Sequence, residues 1–593
     1  TAAGGGCHLL PRGELLLHGG DLAYPHPSRE CYEERLFLPY EAALSPPPGA
    51  NLVEVASKAG AESSGLAQRY ASPLCWMIPG NHDWFDGLEA FLHTVCGRHW
   101  FGGWHLPQTT TYWSIELPHQ WFVLGFDLGL NDDVDDLQYS HFNAVITGLP
   151  LTANVITITH APHWHNDSYF KHESGRMLRQ LLDKLGSRLR MQLAGDIHHY
   201  SRYSSKVVDQ GPELVISGGG GAFLHPTHYT VDVMGYKRAA IYPPAEISRT
   251  LALRNAFQFR RRNWAFEVIL GVFMVLMVIP ALPLCGDTEA AFAEWTNGTA
   301  LISVWFKLVV QCYIHIFENT TIPLVMQLGA GLIVCNLPEA QWGQFRRLCW
   351  GIPFSAAMSL GTVGVACSVE LALMVLGLPG HQNKRGIQAE APQILLNLPA
   401  PWNDFGVWAV RNALAAMDLP SHLYHRRAAL CAAGVTQASR SSFALYVGLV
   451  LPYFWVMVVP IATFIFGCYL TLASFAGRHM DEAFSSLRVE DYKNFLRMHI
   501  DTEGSLHVYA IGIDKVARKW SADPMWRVPP ETEWEPTRYS VQNATPSRWM
   551  PKKSMKCKLV DYINFPARRV PRNGNNGHHR GRVTSPRERT SSK

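Results

Sequence analysis

Apolar runs that stop abruptly at polar turns set the pattern of the first 250 positions. Residues 15–17 are three leucines, and they end at Gly19-Gly20-Asp21. Residues 73–78 are apolar and end at Pro79-Gly80-Asn81-His82-Asp83-Trp84. Residues 155–159 are rich in β-branched side chains and end at His160, with His163 and His165 close behind. Residues 190–194 lead into Gly195-Asp196, followed by His198 and His199. Short apolar runs bounded by Gly and Pro read as buried strands, and Pro-Gly and Gly-Gly read as turns. Two further strands are expected over 113–117 and 121–128, around Pro118-His119, and another over 213–217, ending in Gly218 to Gly221. Residues 41–72 are rich in Pro, Ala, Gly and Ser and read as a surface insertion. The acidic group Asp132, Asp133, Asp135 and Asp136 reads as a solvated loop.

Past residue 260 the pattern changes. Runs 264–285, 300–317, 322–337, 350–378 and 443–475 are long, apolar and poor in charge. A membrane span needs about 20 apolar residues, so five or six passes are expected. The expected organisation is a domain over 1–250, spans within 264–378, a polar and basic linker over 379–442, spans within 443–475, a soluble region over 479–565 and a basic tail over 566–593. Within the soluble region, 492–500 and 506–513 alternate around Asp501 to Gly504, a hairpin signal. Arg254 and Arg260 to Arg262 precede the first span and favour a cytosolic position for the domain over 1–250. The acidic loop with the Asn297-Gly-Thr sequon suits the opposite side. Arg346-Arg347 and the basic linker flank a single run and give conflicting votes.

Composition narrows the classes. The net charge of +4 over 593 residues gives no case for nucleic acid. The twelve cysteines are scattered without a C-x-x-C pair, which argues against a disulfide scaffold or a structural zinc site. The chain opens on Thr1 in a Gly-rich stretch that leads straight into a strand, and is expected to begin inside a domain.

Four strand ends, at residues 21, 81, 160 and 196, deliver Asp, Asn-His, His and Asp-x-His. One such end is an ordinary turn, with Asp21 as a helix cap. Four of them form a constellation of oxygen and nitrogen donors suited to Mn, Fe or Zn. Two metals about 3.5–4 Å apart clamp an in-line displacement at phosphorus.

The order G-D-x-x-Y, G-N-H-D, H-x-P, G-x-x-H resembles the calcineurin-like metallophosphoesterase superfamily over about residues 14–230. The blocks G-G-D-L-A-Y-P, I-P-G-N-H-D-W-F-D-G-L, A-G-D-I-H-H-Y, G-G-G-G-A-F-L-H-P-T-H and D-E-A-F-S-S-L-R resemble its plant and algal multi-pass membrane branch. The resemblance implies an α/β fold: a metallophosphoesterase β-sandwich flanked by helices, followed by a multi-pass α-helical membrane domain. It implies two metal ions (Mn, Fe or Zn), with Asp21 bridging them, Asn81 and His160 on the second and His198 on the first. Tyr24 stands where purple acid phosphatases carry a metal-binding tyrosine. His82 would face the phosphoryl group or protonate the leaving oxygen, held by Asp83 or a carbonyl. His163, His165, His225 and His228 are candidates to line the substrate pocket.

Two departures are visible. The family's first aspartate block is expected before Thr1, and Asp196 replaces the first histidine of G-H-x-H. The implied activity is hydrolysis of a phosphomonoester or phosphodiester, lipid-linked if the membrane tether bears on substrate choice, by a metal-bridging hydroxide. The expected partners are that ester and membrane lipids, with no nucleic acid. Two alternatives stand beside it: a degenerate phosphoesterase fold used as a membrane-bound scaffold, and a transporter with a regulatory phosphoesterase domain.

Overall fold

The architecture is that of a computed structural model. It describes residues 13–46, 73–278 (less 131, 171–174, 208–210 and 230), 285–319, 325, 329, 344–375, 439–526, 547–568 and 583–584. The described residues fall into two compact units, Thr1–Arg249 with Arg488–Lys593, and Thr250–Leu487. The expected insertion beyond residue 46, the run 322–337 apart from two isolated positions, the linker up to 438 and nearly all of the tail after 568 lie outside the described residues.

The first unit is mixed α/β with several sheets. Strands β1 (Leu15–His18), β2 (Leu74–Met77), β3 (Trp100–Phe101) and β4 (Trp104–His105) form a sheet in the order β1-β2-β4-β3. Strands β5 (Trp113–Leu117), β6 (Trp121–Gly125), β7 (Asn154–Thr159), β8 (Leu189–Ala194), β9 (Tyr200–Ser205), β10 (Glu213–Ser217) and β11 (Tyr236–Tyr242) form a larger one, ordered β11-β9-β10-β8-β7-β6-β5. After the second unit the chain returns with β12 (Lys493–Ile500), β13 (Leu506–Ile513), β14 (Trp520–Ala522), β15 (Trp549–Pro551) and β16 (Cys557–Phe565). The antiparallel sheet β12-β13-β16 contains the hairpin around Asp501 to Gly504, and β14 pairs with β15. A last strand, β17 (Val583–Thr584), pairs with β5 to make the larger sheet eight-stranded.

All three main sheets share one core. Trp76 and Ile78 come from the first, Trp113, Trp121, Val123, Ile156 and Met191 from the second, and Leu506, Val508, Ile563 and Phe565 from the third. The opposite face of the large sheet is covered by helices Asp136–Gly148 and Arg176–Leu185 through Phe142, Ile146, Leu178 and Leu181. β7 is therefore buried at every position, with Val155, Ile156 and Ile158 as its apolar residues and Asn154, Thr157 and Thr159 buried among them. Trp121 is fully buried and donates its Nε1–H to Gly504 O at 3.0 Å, tying the large sheet to the hairpin turn. Gly504 has φ +92°, and a Cβ there would stand 3.0 Å from His119 Cβ, so the turn needs glycine.

The strand expected over 121–128 stops at Gly125. Beyond it the Gln138 side chain replaces a neighbouring strand. Its Oε1 accepts from Asp127 N–H and its Nε2 donates to Asp127 O, both at 2.8 Å. The acidic group is structural. Asp135 caps the helix Asp136–Gly148 through Gln138 N–H, and Asp133 accepts from the N–H groups of Met177 and Leu178 at the start of Arg176–Leu185.

The second unit is helical. Among the described residues three stretches are long and apolar enough to cross a membrane: Leu301–Glu318, Leu348–Ser368 and Val458–Phe475. The last two lie in the long helices Gln344–Val375 and Arg440–Phe475. The run that begins at Trp264 is helical over Trp264–Val278. It approaches the last helix closely, since a Cβ on Gly271 would lie 2.8 Å from Val459 Cγ2.

Candidate active site

Two pairs of parallel strands build the site. β1 and β2 are neighbours in the small sheet, and β7 and β8 in the large one. Parallel neighbours present their C-terminal ends at one edge, where the following loops are free to take ligands. Each ladder continues one step past its strands: Ile78 N–H donates to His18 O at 3.2 Å, and Gly195 N–H donates to His160 O at 2.9 Å. The pairs are joined by His160, whose Nδ1 lies 2.7 Å from Gly19 O. Asp21 and Asp196 both adopt left-handed backbone, at φ 54° and 53°. Outside glycine this conformation costs on the order of 1 kcal/mol or more and persists where the surroundings enforce it. Gly80 is part of that enforcement, because a Cβ on it would stand 2.2 Å from Asp21 Oδ1.

The electrostatics follow from one proton. Gly19 O can only accept, so His160 Nδ1 carries the hydrogen and Nε2 of the neutral ring presents a lone pair. That nitrogen faces Asn81 Oδ1 at 3.1 Å, Asp21 Oδ1 at 3.4 Å and Asp196 Oδ1 at 3.7 Å. Four electron-pair donors with no hydrogen between them call for positive charge. A proton on Nε2 is one answer. Burial opposes it, but Asp196 and Asp21 outweigh burial and hold the imidazole pKa above its ordinary value. A metal cation is the other, and the donor types suit one. His198 adds a buried Nδ1 that has no hydrogen-bond partner. Among the described residues no group of three His, Cys, Asp or Glu side chains is already arranged to hold a metal ion. The fit is therefore one of donor type and electrostatic need.

His82 stands beside this cluster. Its backbone N–H donates to Asp21 Oδ1 at 3.1 Å, and its Nδ1 lies 2.9 Å from Pro25 O, so that nitrogen carries the proton. The ring packs against Tyr24 at 4.4 Å and Phe85 at 4.6 Å between centroids, leaving Nε2 as the chemically active nitrogen. Tyr24 also meets His198 edge-on at 5.7 Å and so forms an aromatic wall between the two histidines. The loops carrying Phe85 and His26 border an open cavity of roughly 630 Å³.

Asp83 requires a correction. It does not steady His82; the carbonyl of Pro25 does. Asp83 is 1% exposed and accepts from Gly80 N–H at 2.8 Å, from Leu22 N–H at 3.2 Å and from Tyr32 Oη at 2.5 Å. It points inward because those N–H groups at the two strand ends would otherwise be buried without acceptors. Its carboxylate thus clamps the Asp21 loop to the Asn81 loop, and burial raises its pKa.

His163 is buried, and His165 and His225 are half-buried. His163 has its pKa pushed down to about 4 by burial, and His165 likewise to about 4. Their Nδ1 atoms have no partner. His225 stacks on His198 at 4.0 Å and accepts the His198 backbone N–H on Nδ1 at 3.2 Å. It supports a proposed ligand rather than lining an open pocket.

Sequence reasoning missed three residues. Tyr32 sits in a helical stretch whose pattern gives no hint of Asp83. Asp127, visible only as a strand-end carboxylate, takes the Trp84 Nε1–H at 2.9 Å and anchors the loop behind His82. Lys493 comes from the far end of the chain and carries no local signal. In comparison with known proteins, no protein-family model and no curated protein matches this chain.

Proposed function

We propose that the chain is a membrane-anchored, metal-dependent phosphoesterase of the calcineurin-like type, acting on a phosphomonoester or phosphodiester. The observation that carries this reading is His160 Nε2 set among three oxygens at 3.1, 3.4 and 3.7 Å. In the same reading the sheets of the first unit form the family's β-sandwich. Asp21, Asn81, His160 and Asp196 would hold one metal ion, and His198, Asp21 and Tyr24 would serve a second. Bound metals of the Mn, Fe or Zn class supply Lewis-acid polarisation and neutralise charge on the phosphoryl oxygens. His82, with its proton fixed on Nδ1, accepts or returns a proton at Nε2, next to the leaving oxygen. Tyr24 and Phe85 flank that ring and limit the water around it.

The topology belongs to the same proposal. Segments 13–249 and 488–568 share one core, so both lie on one side of the membrane and the chain crosses it an even number of times between them. Three described stretches meet the length and hydropathy of a span. The helix starting at Trp264 is the natural fourth, and the arginines before it favour a cytosolic catalytic unit.

The test is hydrolysis by the purified full chain in detergent with Mn²⁺, on 4-nitrophenyl phosphate and bis(4-nitrophenyl) phosphate. Turnover that drops at least about 100-fold in His82→Ala and Asp21→Asn is the expected result. Absence of both turnover and bound metal by elemental analysis sinks the reading. It would leave the scaffold alternative, which the substitution of Asp196 for histidine favours.

A further inference from the structure

The turn Gly218 to Gly221 follows β10 and leads to Phe223, whose ring meets His198 edge-on at 4.9 Å. Four consecutive glycines have no side chains with which to fix themselves, and glycine has the most backbone freedom to lose. What fixes this turn comes from the segment that returns after the helical unit. Leu224 N–H donates to Val489 O and Asn494 N–H to Gly219 O, each at 3.0 Å. Ser217 Oγ donates to Asn494 Oδ1 at 3.0 Å. Lys493 Nζ donates to Gly221 O at 3.1 Å and also to Ala222 O. The approach demands glycine, since a Cβ on Gly219 would stand 1.9 Å from Asn494 Nδ2.

We propose that Lys493 is a positioning residue for the candidate site: it locks the glycine turn and Phe223 against His198 and keeps a positive charge beside the place of an anionic phosphate ester. An ammonium group has three donors, and the two carbonyls take two, which leaves a third for solvent or ligand oxygen. Burial lowers the Lys493 pKa to about 8, so the group is still mostly charged at neutral pH. The site is therefore incomplete without a segment made more than 260 residues after the turn it secures. This inference rests on the phosphoesterase reading.

The experiment uses the full chain in detergent and two readouts. The first is binding of inorganic phosphate to His82→Ala protein by calorimetry. Lys493→Met is expected to weaken it about ten-fold and to reduce its salt dependence, and Lys493→Arg to restore both. The second is turnover. Lys493→Met is expected to raise KM about ten-fold for the dianionic monoester and less for the monoanionic diester, with bound metal retained. Unchanged phosphate binding and KM in Lys493→Met overturn the proposal. So does an equal loss on both substrates that arginine does not restore. If His82→Ala and Asp21→Asn leave turnover intact, the phosphoesterase reading fails instead, whatever Lys493 does.

Discussion

The two units bury and expose the same residue types in opposite ways. In the first, tryptophans, isoleucines and valines of three sheets meet in one core; Trp121 finds a partner there in Gly504 O, while Trp76 Nε1 is buried without one. In the second, large apolar side chains stand outward: Trp264 and Ile269 are each 71% exposed, Phe317 63% and Phe306 60%. Helices satisfy their own backbone, so they can present such surface to a solvent that offers no hydrogen bonds, whereas a sheet must find its partners within the protein. The difference teaches that exposure has to be judged against the solvent. An exposed leucine in the first unit is incidental, and a belt of them in the second is a requirement.

Four substitutions or conditions probe that contrast, from the strongest effect down. Trp121→Ala removes a fully buried indole and leaves Gly504 O without its donor. It should cost about 3–5 kcal/mol and lower the Tm of the sheet unit, while far-UV helix content of the second unit persists. Phe306→Asp puts a charge on the exposed face of a candidate span. Insertion in a translocon assay should become less favourable by about 2.5–3.5 kcal/mol, and unaltered insertion would break the contrast.

Acid should weaken the first unit through its buried histidines. Unfolded His163 takes a proton below about pH 6.5, but the folded, buried ring refuses it until about pH 4. In that window the unfolded state binds more protons, so stability falls as pH falls from about 6.5 and the loss is complete near 4. A thermal melt series should show this slope, and His163→Asn should lessen it by that residue's share, His165 keeping its own. The smallest effect is expected at Leu137, which is 77% exposed on the helix Asp136–Gly148. Leu137→Lys should change Tm by no more than about 0.5 kcal/mol allows, the opposite of the same kind of change at Phe306.

Much of the strand pattern was legible because an apolar run that stops at Gly or Pro has few other solutions. β2, β5 and β7 lie where such runs lie, and the hairpin β12–β13 sits on its alternating stretch. β6 ended early because Gln138, eleven residues beyond Asp127, takes that residue's backbone groups, and no local pattern announces that. In the site, the strand ends could be found from the runs that precede them. The inward turn of Asp83 could not, since periodicity says nothing about which side chain of a tight turn points into the core. Lys493 was out of reach for a different reason: its partners are carbonyls of Gly221 and Ala222, and a carbonyl leaves no mark in a sequence.

The return of the chain to its first unit also sets a timetable. A ribosome that has reached residue 487 has made β1 to β11 and the whole helical unit, yet nothing of β13 or β16. Until those strands emerge, the shared core that takes in Trp113, Trp121 and Val123 lacks Leu506, Val508 and Ile563. Uncovered apolar sheet is a substrate for chaperones and proteases. Synthesis of the helical unit therefore comes before completion of the sheet unit, and a chain that stalls there or ends early is exposed to quality control before it can act.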